Sequence, residues 1–115
     1  MKRDWEIIRQ VLIAVEDDNY DKYLEDSEND EAIIKNTALL IQAKFVDGKV
    51  LSSLDEDVDV LVNDLTWQGH ELLDTIRSKP VWDKIKSTAI GKGLELTFDT
   101  VKALGAKVIE LIIGT

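Results

Sequence analysis

One stretch of this chain, Val58 to Leu65, reads as a β-strand, and nearly everything else reads as helix. Val58, Val60 and Val62 alternate with other residues and are β-branched, and Leu65 extends the run; this is the period-two signature of a half-buried strand. A single strand leaves its backbone donors and acceptors unpaired, so it needs a second strand nearby. Val50-Leu51 is the available partner, across the polar, acidic segment Leu54 to Asp59. The chain is thereby held to an α+β fold, mainly helical, with a small antiparallel β wing. Asp47-Gly48, a strong turn dipeptide, is expected to make a tight turn at the exit from the preceding helix.

Helical periodicity fills the rest. Asp4 is placed to cap a helix over residues 4–16, with Trp5, Ile8, Leu12 and Val15 on its inner stripe. The segment from Glu16 to Glu31 holds nine acidic residues against the single Lys22, and reads as a long loop with a short helical turn around Tyr20 to Leu24. A second helix follows over 30–44, with Ile33, Leu40 and Phe45 as core candidates. After the wing, Thr66 caps a helix from Trp67 to about Arg77, with Gly69, Leu72, Leu73 and Ile76 inward. A glycine in a helix interior costs about 1 kcal/mol relative to alanine, so Gly69 implies close approach of another element. Ser78-Lys79-Pro80 ends that helix and starts the next, which Gly91 and Gly93 stop. Thr97 caps the last helix, whose apolar stripe (Phe98, Val101, Leu104, Val108, Leu111, Ile112) is wider than a lone surface helix needs. One domain is expected over 1–115, with a core over 1–77 and a C-terminal helical pair over 78–115.

With 115 residues there is room for one core and little room for a deep substrate cavity. The absence of cysteine excludes disulfides, thiolate metal sites and thiol nucleophiles. No apolar segment is long enough to span a membrane, and the N-terminus turns charged at once. The expected location is the cytoplasm. The formal net charge of -9 repels nucleic acid and anionic lipid and attracts basic surfaces.

The order helix, helix, two-stranded wing, helix is that of a winged helix with an abbreviated first half. Several blocks resemble one family: Met1 to Arg9 at the opening, Leu39 to Gly48 at the helix-to-strand junction, and Leu65 to Asp74, with Trp82-Asp83-Lys84 and Thr97-Phe98 continuing in register. Leu65-Thr66-Trp67 followed by Gly69-His70-Glu71 is the distinctive block. On these residues the chain is identified as a member of the uncharacterised family DUF2513. The resemblance implies a winged-helix-like protein of bacteria, phages and prophages, and implies no catalytic residues. The junction departs from the family pattern at Lys44, where glycine is usual.

His70, the only histidine, lies near Asp74 at i+4 and beside Glu71, and is expected to hydrogen-bond across the fold. The Asp-rich loop lacks the spacing of a calcium site. No phosphate loop, nucleophile elbow, zinc-protease motif or dinucleotide fingerprint is present. The chain is therefore expected to be non-enzymatic, without cofactor or metal. Two binding functions remain. In the first, Asp17, Asp18, Asp21, Glu25 and Asp26, with Asp55, Glu56, Asp57 and Asp59 of the wing, engage a host or phage protein with a basic surface; DNA mimicry is a special case. The alternative is a DNA-binding regulator contacting phosphates or bases through Lys35, Asn36, Gln42 and Lys44. Charge disfavours it, because affinity for DNA rests largely on phosphate neutralisation. Val108, Leu111 and Ile112 are the candidate seam of a homodimer.

Overall fold

The computed structural model describes residues 3–52 and 58–113. In chain order the elements are α1 (Trp5–Glu16), α2 (Tyr20–Asp26), α3 (Asp30–Gln42), β1 (Val46–Ser52), β2 (Val58–Leu65), α4 (Trp67–Ile76), α5 (Lys79–Gly91) and α6 (Phe98–Ile113). The architecture is α+β: among the described residues, six helices and one two-stranded antiparallel sheet. The chain divides into two compact units, Met1–His70 and Glu71–Thr115, the division falling inside α4.

In the first unit α1 packs on α3, and α3 on both strands. Asp4 caps α1 as expected, its Oδ1 accepting from the backbone N–H of Glu6 at 3.1 Å and of Ile7 at 3.2 Å. The stripe of Trp5, Ile8, Val11, Leu12 and Val15 is buried, together with Ile33, Leu40, Val46, Val60 and Leu65. Two polar residues of α3 lie inside with their groups paired. Asn36 accepts from the Asp4 N–H at 2.9 Å and donates to the Ala32 carbonyl at 2.9 Å. Thr37 donates to the Ile33 carbonyl at 2.7 Å, which spends its one proton, so Tyr20 is the donor in the 2.9 Å contact between their hydroxyls.

That phenol explains why the acidic segment is not the long loop expected. Tyr20 is buried, and its side chain ties the start of α2 to α3. The turn expected over Tyr20 to Leu24 is a seven-residue helix. The expected turn at Asp47-Gly48 is also corrected: both residues belong to β1, which begins at Val46. The register shifts there, Asp47 pairing with Asp64 and Gly48 with Val62, which leaves Asn63 as the extra residue of a bulge. Gly48 is required by this geometry, since a Cβ would meet the Leu61 carbonyl oxygen.

In the second unit α5 packs on α6. Ser78 caps α5, and Pro80 sits in its first turn. Thr97 starts α6, its Oγ1 accepting from the Thr100 N–H at 3.1 Å. Trp82, Ile85, Ala89, Val101, Leu104 and Val108 are buried.

Three helices end in the same way. α1, α3 and α5 each close with two crossed backbone bonds around one left-handed residue: Asp18 (φ 55), Lys44 (φ 69) and Gly93 (φ 68). At the end of α3, Phe45 N–H reaches the Leu40 carbonyl at 2.9 Å and Lys44 N–H the Ile41 carbonyl at 3.0 Å. Residue 44 is thus left-handed, and this chain holds the position with a lysine.

Candidate functional site

The distinctive sequence block folds against the end of α3. The Thr66 hydroxyl caps α4 by accepting from the Gly69 N–H at 3.0 Å, and donates to the Lys44 carbonyl at 2.6 Å. The Thr66 N–H donates to the Phe45 carbonyl at 3.1 Å. Gly69 is buried, and a Cβ on it would collide with that same Phe45 carbonyl. The glycine therefore permits the close approach that its cost in a helix implied.

From this rigid junction α4 projects two side chains of its first turn. Trp67 is 76% exposed, the most exposed of the three tryptophans, whereas Trp5 and Trp82 are core residues. His70, one turn on, places Nδ1 3.7 Å from a Glu16 carboxylate oxygen at the end of α1. The carboxylates suggested by spacing, Glu71 and Asp74, are not the ones recorded beside it. Sequence spacing could not find Glu16, because only the packing of α1 brings it to α4. The exposure of Trp67 did have a signal, since Trp67 falls off the stripe formed by Gly69, Leu72, Leu73 and Ile76.

The acidic candidates of the first unit are exposed: Asp17 and Asp18 in the turn after α1, and Asp21, Glu25 and Asp26 on α2. Asp59 is exposed on β2, where its Oδ1 accepts from the Val60 N–H at 2.8 Å. Asp64 does the same for Leu65 at 2.7 Å. Because Thr66 N–H points to β1, ladder alternation turns the Leu65 N–H away from it, so the Asp64 carboxylate covers a donor on the strand's outer edge. Asp55, Glu56 and Asp57 lie outside the described residues.

The DNA-reading candidates are not brought together. Asn36 is a correction: it is buried, with both ends of its amide committed inside the fold. Lys35 is paired with Glu31 at 2.9 Å, and that contact holds the Glu31 carboxyl below the usual range. Gln42 and Lys44 are exposed at the end of α3, while its first turn presents Asp30 and Glu31. Between Lys35, paired with Glu31, and Lys44 the chain carries no further basic residue. Of the dimer candidates, Val108 is likewise corrected, being a buried core residue, whereas Leu111 and Ile112 are 68% and 60% exposed.

Charge is divided unevenly along the chain. Residues 1–70 hold seventeen acidic against seven basic side chains, and residues 71–115 hold six against seven. The whole acidic excess therefore belongs to the first unit. Among the described residues, no group of three or more metal-ligating side chains converges, and no helix is long and apolar enough to cross a membrane.

These features define a small α+β protein with a two-stranded hairpin and a strongly acidic first unit. The chain belongs to the family described as "Hypothetical protein (DUF2513)", whose profile matches residues 2–95. It is also similar to an uncharacterised protein of Haemophilus influenzae, 34% identical over 119 aligned positions that cover 99% of this chain and 100% of that protein. No solved structure matches it.

Proposed function

We propose that this protein is a non-enzymatic, winged-helix-like binding protein of bacterial or phage origin that engages a protein partner with a basic surface. The observation that carries this reading is the joint exposure of Asp17, Asp18, Asp21, Glu25 and Asp26 on one connected segment of a unit with a large negative excess. Such a surface steers a cationic partner towards it and accelerates encounter more than it strengthens the final complex. The winged-helix reading rests on the order of α3, β1 and β2. A DNA-binding role for the same architecture is opposed by the burial of Asn36 and the pairing of Lys35. A recognition helix meets base edges with its N-terminal residues, and here those are Asp30 and Glu31.

The test is affinity capture from a bacterial lysate with the native protein and with a variant carrying Asp17→Asn, Asp18→Asn, Asp21→Asn, Glu25→Gln and Asp26→Asn. A basic protein held by the first, released by salt and absent from the second is the expected result. Tight, salt-sensitive retention of genomic DNA fragments in a mobility shift would overturn the proposal in favour of a regulator.

A second association is favoured by one observation. Leu111, Ile112 and Ile113 are consecutive and exposed at the end of α6, so no turn of the helix hides them. A last turn with three consecutive exposed apolar side chains calls for a cover, and a second copy of the chain is the occupant we propose there.

A further inference from the structure

We infer that Trp67 is the recognition element of the acidic unit: its bare indole stacks on an arginine side chain of the basic partner, while neighbouring carboxylates hold the guanidinium edge. This inference rests on the reading that the partner is basic, and adds to it a residue, a ligand chemistry and a geometry.

A tryptophan left exposed contributes little to holding the fold, because it is exposed in the unfolded chain as well. Trp67 is 76% exposed, although it sits beside Thr66, whose hydroxyl is bonded to both Lys44 and Gly69. The indole plays no part in that lock, which is made by Thr66 and Gly69 through hydroxyl, backbone and the absence of a side chain. The core does not use it either. What it offers is a large, rigid, apolar face with one N–H, the chemistry most enriched at binding hot spots.

Charge selects the occupant. Residues three apart on a helix are neighbours, so Trp67 lies beside His70, and His70 lies 3.7 Å from Glu16. Glu16 opens the run Glu16-Asp17-Asp18, whose last two members are exposed. Asp18 holds its position through the left-handed turn that ends α1, so the run is fixed in place rather than trailing from the helix. An aromatic face exposed on a unit with a large negative excess attracts a cation above the ring. Arginine fits better than lysine, because a planar guanidinium stacks on the indole and still directs its N–H donors sideways to carboxylates. Single-stranded nucleic acid also stacks on tryptophan, but its phosphates would meet the same carboxylates.

The full chain is its own reporter. Trp5 and Trp82 are 8% and 0% exposed, so a ligand that changes the emission without unfolding the protein reports on Trp67. The experiment titrates an arginine hexapeptide, a lysine hexapeptide and oligothymidine into the native protein, Trp67→Ala, Trp67→Phe and the doubly neutralised Asp17→Asn/Asp18→Asn. Binding to the tryptophan variants is read by calorimetry, and circular dichroism verifies their fold. The arginine peptide should quench the native emission at low salt, and bind Trp67→Ala roughly three- to tenfold more weakly. Trp67→Phe should fall between, and the lysine peptide should bind more weakly than the arginine peptide. Equal affinity of native protein and Trp67→Ala, with weakened binding by the neutralised variant, overturns the role of Trp67 and leaves the acidic-surface reading standing. No binding of either peptide overturns both. Quenching by oligothymidine but not by the arginine peptide replaces the arginine site with a nucleic-acid one.

Discussion

The Thr66 hydroxyl donates to the Lys44 carbonyl at 2.6 Å, and by the same oxygen accepts the Gly69 N–H at 3.0 Å. One atom thus closes the end of α3 and opens α4, with the whole hairpin lying between them in sequence. The two helix ends have complementary needs: α3 ends with carbonyls lacking partners, and α4 begins with N–H groups lacking them. A hydroxyl, which both donates and accepts, is the smallest group that serves both. Valine in its place keeps the shape and loses both bonds. We expect Thr66→Val to lower unfolding free energy by about 1–2 kcal/mol in urea titrations, and Thr66→Ser to cost less. Equal stabilities of Thr66→Val and the native protein would show that the bridge does not hold the junction.

At Lys44 the backbone adopts φ 69, a conformation that costs a residue with a Cβ roughly 1–2 kcal/mol. Lys44→Gly is therefore expected to stabilise the protein, by about 1 kcal/mol once the greater chain freedom of unfolded glycine is subtracted. In a domain of this size that is a rise in melting temperature of roughly 4–8 °C. The Gly93 position of α5, with nearly the same φ, serves as the control: Gly93→Lys should destabilise by a similar amount.

At Gly69 the reverse change has the opposite sign from helix propensity. Alanine there would gain about 1 kcal/mol as a helix former. The added methyl would overlap the Phe45 carbonyl, which is fixed by its bond from Thr66 and cannot give way cheaply. Overpacking against backbone typically costs 1–3 kcal/mol, roughly, so the clash wins. Gly69→Ala should lower the melting temperature, and a rise would mean that α4 can slide away from the hairpin.

Tyr20 gives the protein an alkaline limit. Burial holds its phenol above the ordinary value of 10.0, with the nearby charges of Asp59 and Asp21 pushing the same way. The folded state therefore keeps a proton that the unfolded chain gives up. The stabilising contribution is complete below 10.0 and is lost as pH rises from there through the folded value. Tyr23, also raised by burial, adds to the same trend. Tyr20→Phe should cost about 1 kcal/mol at neutral pH for the lost bond to Thr37. Its stability should then decline less steeply above pH 10.0 than that of the native protein in paired denaturation curves.

The elements that the sequence announced are those with local signals. Asp4, Thr66 and Thr97 cap the helices they were expected to cap, and the alternation of Val58 to Val62 lies in β2. What was hidden depends on partners distant in sequence. The acidic segment looked like a long loop with one helical turn around Tyr20 to Leu24, because its charges dominate its composition; that turn is the seven-residue α2, and the Tyr20 phenol, bonded to Thr37, ties it to α3. Asp47-Gly48 has the chemistry of a turn, but strand pairing with Asp64 and Val62 overrides that preference and uses the glycine for a close approach to Leu61. Asn36 looked like a surface reader of bases because asparagine is usually exposed; its role is to hold the start of α1 from inside. His70 was linked by spacing to carboxylates of its own helix, and no period reveals a contact with Glu16 on α1.

The apolar end of α6 can be tested without disturbing the core. Leu111 and Ile112 project from the helix, so lysine at either position removes no core packing, and the change in unfolding free energy should stay within about 0.5 kcal/mol. Val108, one turn earlier and buried, is the contrasting position: Val108→Lys places a charge in the core and should unfold the second unit. If a second copy covers the end of α6, sedimentation of the native protein should show a concentration-dependent dimer, and Leu111→Lys should return it to the monomer, with melting curves that coincide at concentrations where the native protein is itself monomeric. The exposed charges of the helix, Asp99, Lys102, Lys107 and Glu110, balance one another, so added salt should alter that dimer far less than the single lysine does. A native protein that stays monomeric at high concentration would remove the second copy from consideration.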